Sequence, residues 1–510
     1  MNGVPVVMSI TDRPADDSSV LAALRSPRRL RTEVLAGLVV ALALIPEAIS
    51  FSIIAGVDPR VGLFASFTMA VTISIVGGRR AMISAATGAI ALVIAPVVKE
   101  YGLDYLIATV ILAGVLQIVL SAVGVARLMR FIPRSVMVGF VNALAILIFT
   151  AQLPHLLGVP WLVYPMVVIG IAIMVFLPKL STVVPAPLVA IVLLTAGTVV
   201  FSLNVPDVGD EGALPSTLPT WLIPDVPFTF DTLTIIGPYA LAMALVGLLE
   251  SLMTAKLVDD ITDTHSDKTR EGWGQGVANV VTGFFGGMGG CAMIGQTMIN
   301  VKSSGARTRI STFLAGAFLL GLVVGLGDIV ALIPMAALVA VMIMVSVGTM
   351  DWHSIAPKTL KRMPAAETTV MLVTVALTVA THNLAYGVIA GVLTAMVAFA
   401  HRVAHFTTVE AISRLGSEHE PIDTCTYKVR GELFFASSND LVYQFDYTGD
   451  PANVVIDMSD AHIWDASTVA ALDAITTKYA AKNKEVTIIG LNEASEARHA
   501  LLSGHLAGGH

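Results

Sequence analysis

Charge is scarce in this chain. Only 13% of its 510 residues are Asp, Glu, Lys or Arg, 55% are hydrophobic, and the mean hydropathy is +0.80. A soluble globular protein carries about 25% charged residues, so that class is excluded and a chain that crosses a membrane many times is indicated. The net charge of −7 identifies no partner, because the charges are confined to loops and the tail, and nothing points to a nucleic acid. Cysteine is scarcer still. Cys291 and Cys425 fall in regions of different character, one membrane-like and one polar, so a disulfide is not expected, and neither has metal-ligand spacing. A cleavable leader is not expected, since residues 1–33 are polar and the first apolar run is long enough to span. No Ser-His-Asp or Cys-His arrangement suggests an enzyme, and Gly272-Trp-Gly-Gln-Gly276 lacks the preceding strand of a dinucleotide fingerprint. Neither a catalytic centre nor a cofactor is expected.

What is present is a series of apolar runs. In the first half they cover residues 34–54, 61–76, a short 85–98, 105–125, 135–152, 161–177 and 186–203. A polar, acidic loop follows at 204–231. The second half covers 232–258, 273–285, a short 292–301, 310–326, 331–347, 368–381 and 385–400. This predicts a polytopic α-helical membrane protein of about fourteen segments. An odd number per half sends the second half in from the opposite side, so the pattern is a seven-plus-seven inverted repeat (about 34–203 and 232–400). Basic residues agree. With the N-terminus inside, Arg25, Arg28, Arg29, Arg31, Arg79, Arg80, Arg127, Arg130 and Arg134 gather on the cytoplasmic side, as do Lys268, Arg270, Lys302, Arg307 and Arg309 in the second half. Only Arg60 and Lys99 fall outside, together with the acidic loop. That is the positive-inside pattern of a plasma or inner membrane protein with both termini in the cytoplasm.

After Arg402 the composition becomes that of a soluble domain. Strands are predicted at 426–435, 453–457 and 485–490, and helices at 439–445 and 467–479, giving a small cytoplasmic α/β domain over 405–510 behind a transport domain at 34–402 and an N-terminal segment at 1–33.

Two of the apolar runs are too short to cross a bilayer, and both are broken by glycine: Ser84–Val93 after Gly77 and Gly78, and Ala292–Val301 after Gly286, Gly287, Gly289 and Gly290. A spanning helix needs about 20 apolar residues. Paired short segments at matching places in two halves point to a transporter's midplane binding site. Their half-helix N-termini offer unpaired N–H groups and about half a positive charge each to an anion. Thr87, Gly88 and Ala89 supply one set; Ile294, Gly295, Gln296 and Thr297 supply the other. Small residues there also permit close helix packing. Two carboxylates, Glu47 and Glu250, fall inside predicted spans at nearly equivalent places in the repeats. Intramembrane acids face a pathway and titrate or bind ions, or else are protonated and hydrogen-bonded for packing.

The stretches Gly37–Val57, Val246-Gly-Leu-Leu-Glu-Ser251, Gln275–Gly286 and Thr297–Thr308 resemble the first, eighth, ninth and tenth segments of the SulP (sulfate permease) anion transporters. The run Val455–Leu472 resembles the strand–loop–helix of STAS domains. The resemblance implies a core-and-gate architecture, an anion site between the third and tenth segments, Glu250 at the family's acidic position, and a homodimer. Ser467 is the nearest match to the serine that STAS signalling proteins phosphorylate, a site for a regulatory protein; otherwise Ser467 or Asp465 caps a helix. Many members carry Ser-Arg-Thr where this chain reads Gly295-Gln296-Thr297, so the arginine is missing. An anion site without arginine and flanked by acids repels its substrate unless the acids are neutralised, by a proton or by Na⁺ with Thr254 as one ligand. Symport is therefore expected, with H⁺ preferred. The chain resembles prokaryotic members that carry a C4-dicarboxylate such as fumarate; bicarbonate with Na⁺ and then sulfate are the alternatives. A nucleobase–proton symporter, or a membrane-anchored signalling scaffold, would be the other reading of such a chain.

Overall fold

The computed structural model describes residues 19–125, 132–180, 185–404, 407–413 and 424–504. Residues 1–18, Arg127, Arg130 and His405 lie outside them. The chain divides into two compact units, Met1–Val392 and Leu393–His510.

A short helix, Val20–Arg25, precedes fourteen elements that follow the apolar runs, the first thirteen in the first unit and the last crossing its boundary at Val392. These are α1 (Pro27–Ala55), α2 (Pro59–Val76), α3 (Gly88–Tyr101), α4 (Leu103–Ala122), α5 (Arg134–Gln152), α6 (Val163–Leu180) and α7 (Ala186–Val200), then α8 (Phe230–Thr262), α9 (Lys268–Phe284), α10 (Ile294–Met298), α11 (Arg309–Ala331), α12 (Met335–Thr349), α13 (Ala365–Thr381) and α14 (Leu384–Ala404). Long members such as α1, α5, α8 and α11 have the length and apolarity of spans. The two short ones begin from two-residue strands, β1 (Ser84–Ala85) and β2 (Cys291–Ala292).

Packing follows the inverted repeat. α4 packs on α9 and α11 on α2; α1 packs on α11 and α8 on α4; α5 packs on α13 and α12 on α6. Shifting every label by seven turns each of these pairs into its mate. Two groups result, α1–α4 with α8–α11 and α5–α7 with α12–α14. Within a lipid there is no hydrophobic drive between helices, so close approach rests on small residues. A Cβ on Gly114 of α4 would lie 2.6 Å from the Gly276 carbonyl of α9, and one on Gly276 would lie 2.6 Å from the Gly114 carbonyl.

The acidic loop is ordered against helix ends. Its 3₁₀ turn Val208–Glu211 is fastened by Val208 N–H donating to Ile333 O (2.9 Å) and by Met335 N–H donating to Pro206 O (2.8 Å). Trp221 stacks on Phe284 at the end of α9, with centroids 4.4 Å apart. Near the end of α8, Asp259 pairs with Arg79 at 3.1 Å and Lys268 at 2.5 Å.

The second unit holds a four-stranded sheet in the order β3 (Thr408–Ser413), β4 (Thr424–Leu433), β5 (Asn453–Ile463) and β6 (Glu485–Ile489), with β3 antiparallel to β4 and the others parallel. Helices α15 (Phe435–Leu441), α16 (Ala466–Ala480) and α17 (Glu493–Leu502) complete it. The α/β alternation is as expected from sequence, but β5 runs six residues past the predicted Asp457 and the helix after β4 starts at Phe435 rather than 439. The sequence 458–463 reads as polar because Ser459 and Asp460 occupy the exposed side of a strand whose other face buries Met458, Ala461 and Ile463. Buried Tyr427 and Tyr479 both donate to Asp450, the latter at 2.6 Å.

Candidate functional site

Two antiparallel residue pairs join the broken segments: Ser84 opposes Ala292 and Ala85 opposes Cys291. Met293 N–H donates to Ile83 O at 2.9 Å, and Thr297 Oγ1 accepts from Ile83 N–H at 3.0 Å. Because the strands are antiparallel, α3 and α10 leave the bridge in opposite directions and turn their N-termini toward each other. The approach to β2 requires glycine: Gly289 sits at φ +75°, and a Cβ there would fall 2.3 Å from Met243 Cε. Asn279 of α9 clamps the neighbouring peptide, its Oδ1 accepting from Gly290 N–H at 2.9 Å and its Nδ2 donating to Gly290 O at 3.0 Å and to Gln117 Oε1 of α4 at 2.9 Å.

Thr87 is the N-cap of α3; its Oγ1 accepts from Ile90 N–H at 3.4 Å. That leaves the amides of Gly88 and Ala89 without an intrahelical acceptor. Gly88 is held there by space, since a Cβ would lie 2.9 Å from Phe51 Cε1 of α1 and 3.2 Å from Ile148 of α5. Opposite, α10 runs on through a π-helical turn, Ile299–Ser303. Ile294 is half-buried, and Gly295 is exposed with nothing within 4 Å of a Cβ. Gln296 is buried beside Glu47 of α1, and its Oε1 has no hydrogen-bond partner.

Glu250 of α8 is buried, and its Oε2 accepts from the Cys291 thiol at 2.9 Å. Cys291 Sγ is also 3.1 Å from Thr87 Oγ1. The next residue of α8, Ser251, receives Ala292 N–H at 3.1 Å. Glu250 therefore meets the bridge through Cys291 and the cap of α3, while Glu47 lies beside Gln296 of α10. Thr254 donates to the Glu250 backbone carbonyl at 2.8 Å, so its hydroxyl hydrogen serves the helix and only its lone pairs remain for a cation. No lysine or arginine occurs within 84–98, 291–301, 33–57 or 230–255, and the positive end of the site is backbone alone. In the second unit, Ser467 is exposed at the second position of α16, and Asp465 is the cap that accepts from Thr468 N–H at 3.1 Å.

Thr87, Gly88, Ala89, Ile294, Gly295, Gln296, Thr297, Glu47 and Glu250 thus lie around one bridge. Sequence reasoning passed over Cys291, Ser251, Asn279 and Gln117. The last two carried a signal, a carboxamide in the middle of an otherwise apolar span. Cys291 carried none beyond its place in the glycine run.

The sequence matches the sulfate permease family over residues 30–165 and 160–374 and the STAS domain over residues 417–503. It is 54% identical over 468 residues to the Bacillus subtilis protein named "Putative sulfate transporter YbaR", covering 92% of this chain and 96% of that one. It is 25% identical to the "Bicarbonate transporter BicA" of a Picosynechococcus species, covering 91% and 89% of the two chains. Among solved structures, SLC26A9 superposes with a TM-score of 0.77 at 15% identity over 94% of this chain and 88% of that one. The transmembrane domain of a cyanobacterial BicA superposes with a TM-score of 0.64 at 24% identity, over 71% of this chain and 97% of that one. These two likenesses are of fold.

Proposed function

We propose a coupling mechanism from the premise that this chain belongs to the sulfate permease family: it is a multi-pass anion transporter with a STAS domain, and not an enzyme. The anion binds between the N-termini of α3 and α10, at the amides of Gly88, Ala89, Gly295 and Gln296, over the opening at Gly295. A cation travels with it, because the positive end is backbone alone and two carboxylates flank it. The carrying observation is the contact chain Glu250–Cys291–Thr87, at 2.9 and 3.1 Å.

That chain has two proton arrangements. With Glu250 ionised, the thiol donates to Oε2. With Glu250 protonated, the acid donates to Sγ and the thiol hydrogen turns to Thr87 Oγ1, the atom that caps α3. Occupancy of the acid is thereby felt at the helix end that meets the anion, and neutralising it removes the charge that would repel the substrate. Loaded with both, the core helices α1–α4 and α8–α11 move against the rest of the unit to expose the site alternately.

The coupled cation is H⁺, and the substrate is a carboxylate-bearing anion, with a C4-dicarboxylate such as fumarate first. Bicarbonate, also a carboxylate, is the second reading, supported by the relatives named bicarbonate transporters. The protein works as a homodimer in the inner or plasma membrane with both termini in the cytoplasm. Labelled fumarate uptake into proteoliposomes in Na⁺-free buffer tests this. Accumulation driven by an inward proton gradient, lost in Glu250→Gln while unidirectional exchange survives, is the expected result. Uptake of bicarbonate or sulfate instead would replace the substrate, and indifference of every anion to the gradient would sink the proton coupling.

A further inference from the structure

Three stretches of chain cross between the two helix groups: residues 123–133 between α4 and α5, the acidic loop between α7 and α8, and the end of α11 with its turn into α12. The last two lie side by side, since a Cβ on Gly327 of α11 would stand 3.7 Å from Pro215 O of the loop. The loop is tied to a different group at each end. Its first part holds the start of α12: Asp207 bridges Pro334, beside the bonds that Pro206 and Val208 make with Met335 and Ile333. Its later part holds the other group. Ala213 O accepts from Arg60 N–H of α2 at 3.1 Å, Leu222 N–H donates to Phe284 O of α9 at 2.9 Å, and Asp225 N–H donates to Asp104 Oδ1 of α4 at 3.3 Å. The switch falls at Gly212, whose φ of +138° favours glycine and whose Cβ would lie 2.5 Å from Asp58 Oδ1.

The helix α11 changes partners at the same level. Its body packs on α1 and α2, where a Cβ on Gly37 would lie 2.8 Å from Leu314 Cβ and one on Gly316 3.0 Å from Ala70 Cβ. At Leu326 the helix breaks, with φ −124° and ψ +23°, between Gly325 and Gly327. The piece beyond the break runs into the turn that Pro206 and Val208 hold. An apolar cavity of about 510 Å³ lies against the break, lined by Leu322, Leu326 and Ile329 of α11, Pro46 of α1, and Ile191 and Val192 of α7. It gives the end of α11 room to swing where α1 of one group and α7 of the other line a common space.

We infer that Gly212 and the break at Gly325–Leu326–Gly327 form one hinge, about which α1–α4 and α8–α11 swing as a body against the remaining helices. A hinge requires a few residues at element ends that absorb a large φ/ψ change, and small ones do so most easily. The inference rests on the proposal that the core moves against the rest of the unit. It places the pivot at the end that holds the acidic loop.

Electron–electron double resonance on the full chain in nanodiscs, with spin labels at Ile75→Cys of α2 and Phe176→Cys of α6, reads the swing. Both positions are exposed and lie at helix ends away from the loop, and the native Cys291 and Cys425 are buried. Wild type is expected to show two distances. Gly325→Ala/Gly327→Ala favours a straight helix and should shift their ratio roughly tenfold, the combined helix preference of two Gly→Ala changes. Gly321→Ala, one turn earlier and likewise with nothing within 4 Å of its Cβ, should leave the ratio unchanged. In uptake, the double variant should lose turnover at unchanged KM, and a melting temperature no lower than that of wild type would show that it folds. An unchanged ratio in the double variant, an equal shift in Gly321→Ala, or a single distance in wild type would overturn the hinge. The distances need no anion, so a wrong substrate leaves this test intact.

Discussion

At the level of single residues, two glycines of the site face opposite steric demands. Gly88 is walled by Phe51 and Ile148, so Gly88→Ala must displace one of them, and overpacking of this kind costs about 1–3 kcal/mol. The measurable result is a lower melting temperature together with lost uptake. Gly295 opens onto empty space, so Gly295→Ala should leave stability unchanged and raise KM for the anion, because the new methyl group would occupy the place proposed for the ligand. Comparing the two variants by thermal melting and uptake kinetics checks both. Cys291 gives a second contrast. Cys291→Ser keeps a hydroxyl between Glu250 and Thr87 and should keep gradient-driven uptake, whereas Cys291→Ala breaks the chain and should lower it on the order of tenfold, the worth of a buried hydrogen bond to a charged group. The pH dependence of uptake should flatten only in the alanine variant. Most of the candidate site, as a cluster of residues around one bridge, was legible in the sequence because half-helix ends, glycine runs and intramembrane acids each leave a local mark. Cys291 was not, since its role depends on two contacts distant in the chain, one of them on α8.

At the level of elements, the helix crossings carry the stability of the membrane unit. Gly114 and Gly276 each sit against the other's carbonyl, so Gly276→Leu should prevent α4 and α9 from closing and abolish recovery of folded protein, read by size-exclusion of detergent extracts. The run lengths predicted these helices to within about two turns, the largest miss being α1, which starts at Pro27 rather than 34, because polar residues that continue a helix beyond its apolar run leave no strong mark. The small domain was less legible. Its β5 continues through residues that look like a loop, and β3 and α17 were not foreseen, because a strand with one wet face and a short polar helix give weak periodicity. Its core offers a pH test. Burial, and secondarily Tyr427, raise Tyr447 to about 12, and burial with the bond to Asp450 raises Tyr479 further. Groups raised in the folded state contribute stability that is complete below the ordinary tyrosine value of about 10 and is lost as pH climbs through the folded one. Tryptophan fluorescence and circular dichroism of the full chain should therefore show this domain loosening between about pH 10 and 12, and Tyr447→Phe should move that loss to higher pH.

At the level of the whole molecule, the residues of the site all belong to the first unit. Removing 405–510 should leave substrate affinity unchanged even where rate or assembly changes; loss of anion binding by a well-folded truncation would contradict this. The two-residue bridge between β1 and β2 carries a further consequence. Four backbone residues and their flanking bonds fasten the two helix ends into one bracket, so if the anion binds there as proposed, the jaws cannot open to admit or release it. Selectivity is then a fixed property of the bracket, the same whichever face it is turned to. Competing anions should rank in the same order from inside and from outside the vesicle, and any directional bias should reside in how fast the loaded bracket is relocated, not in how tightly it grips.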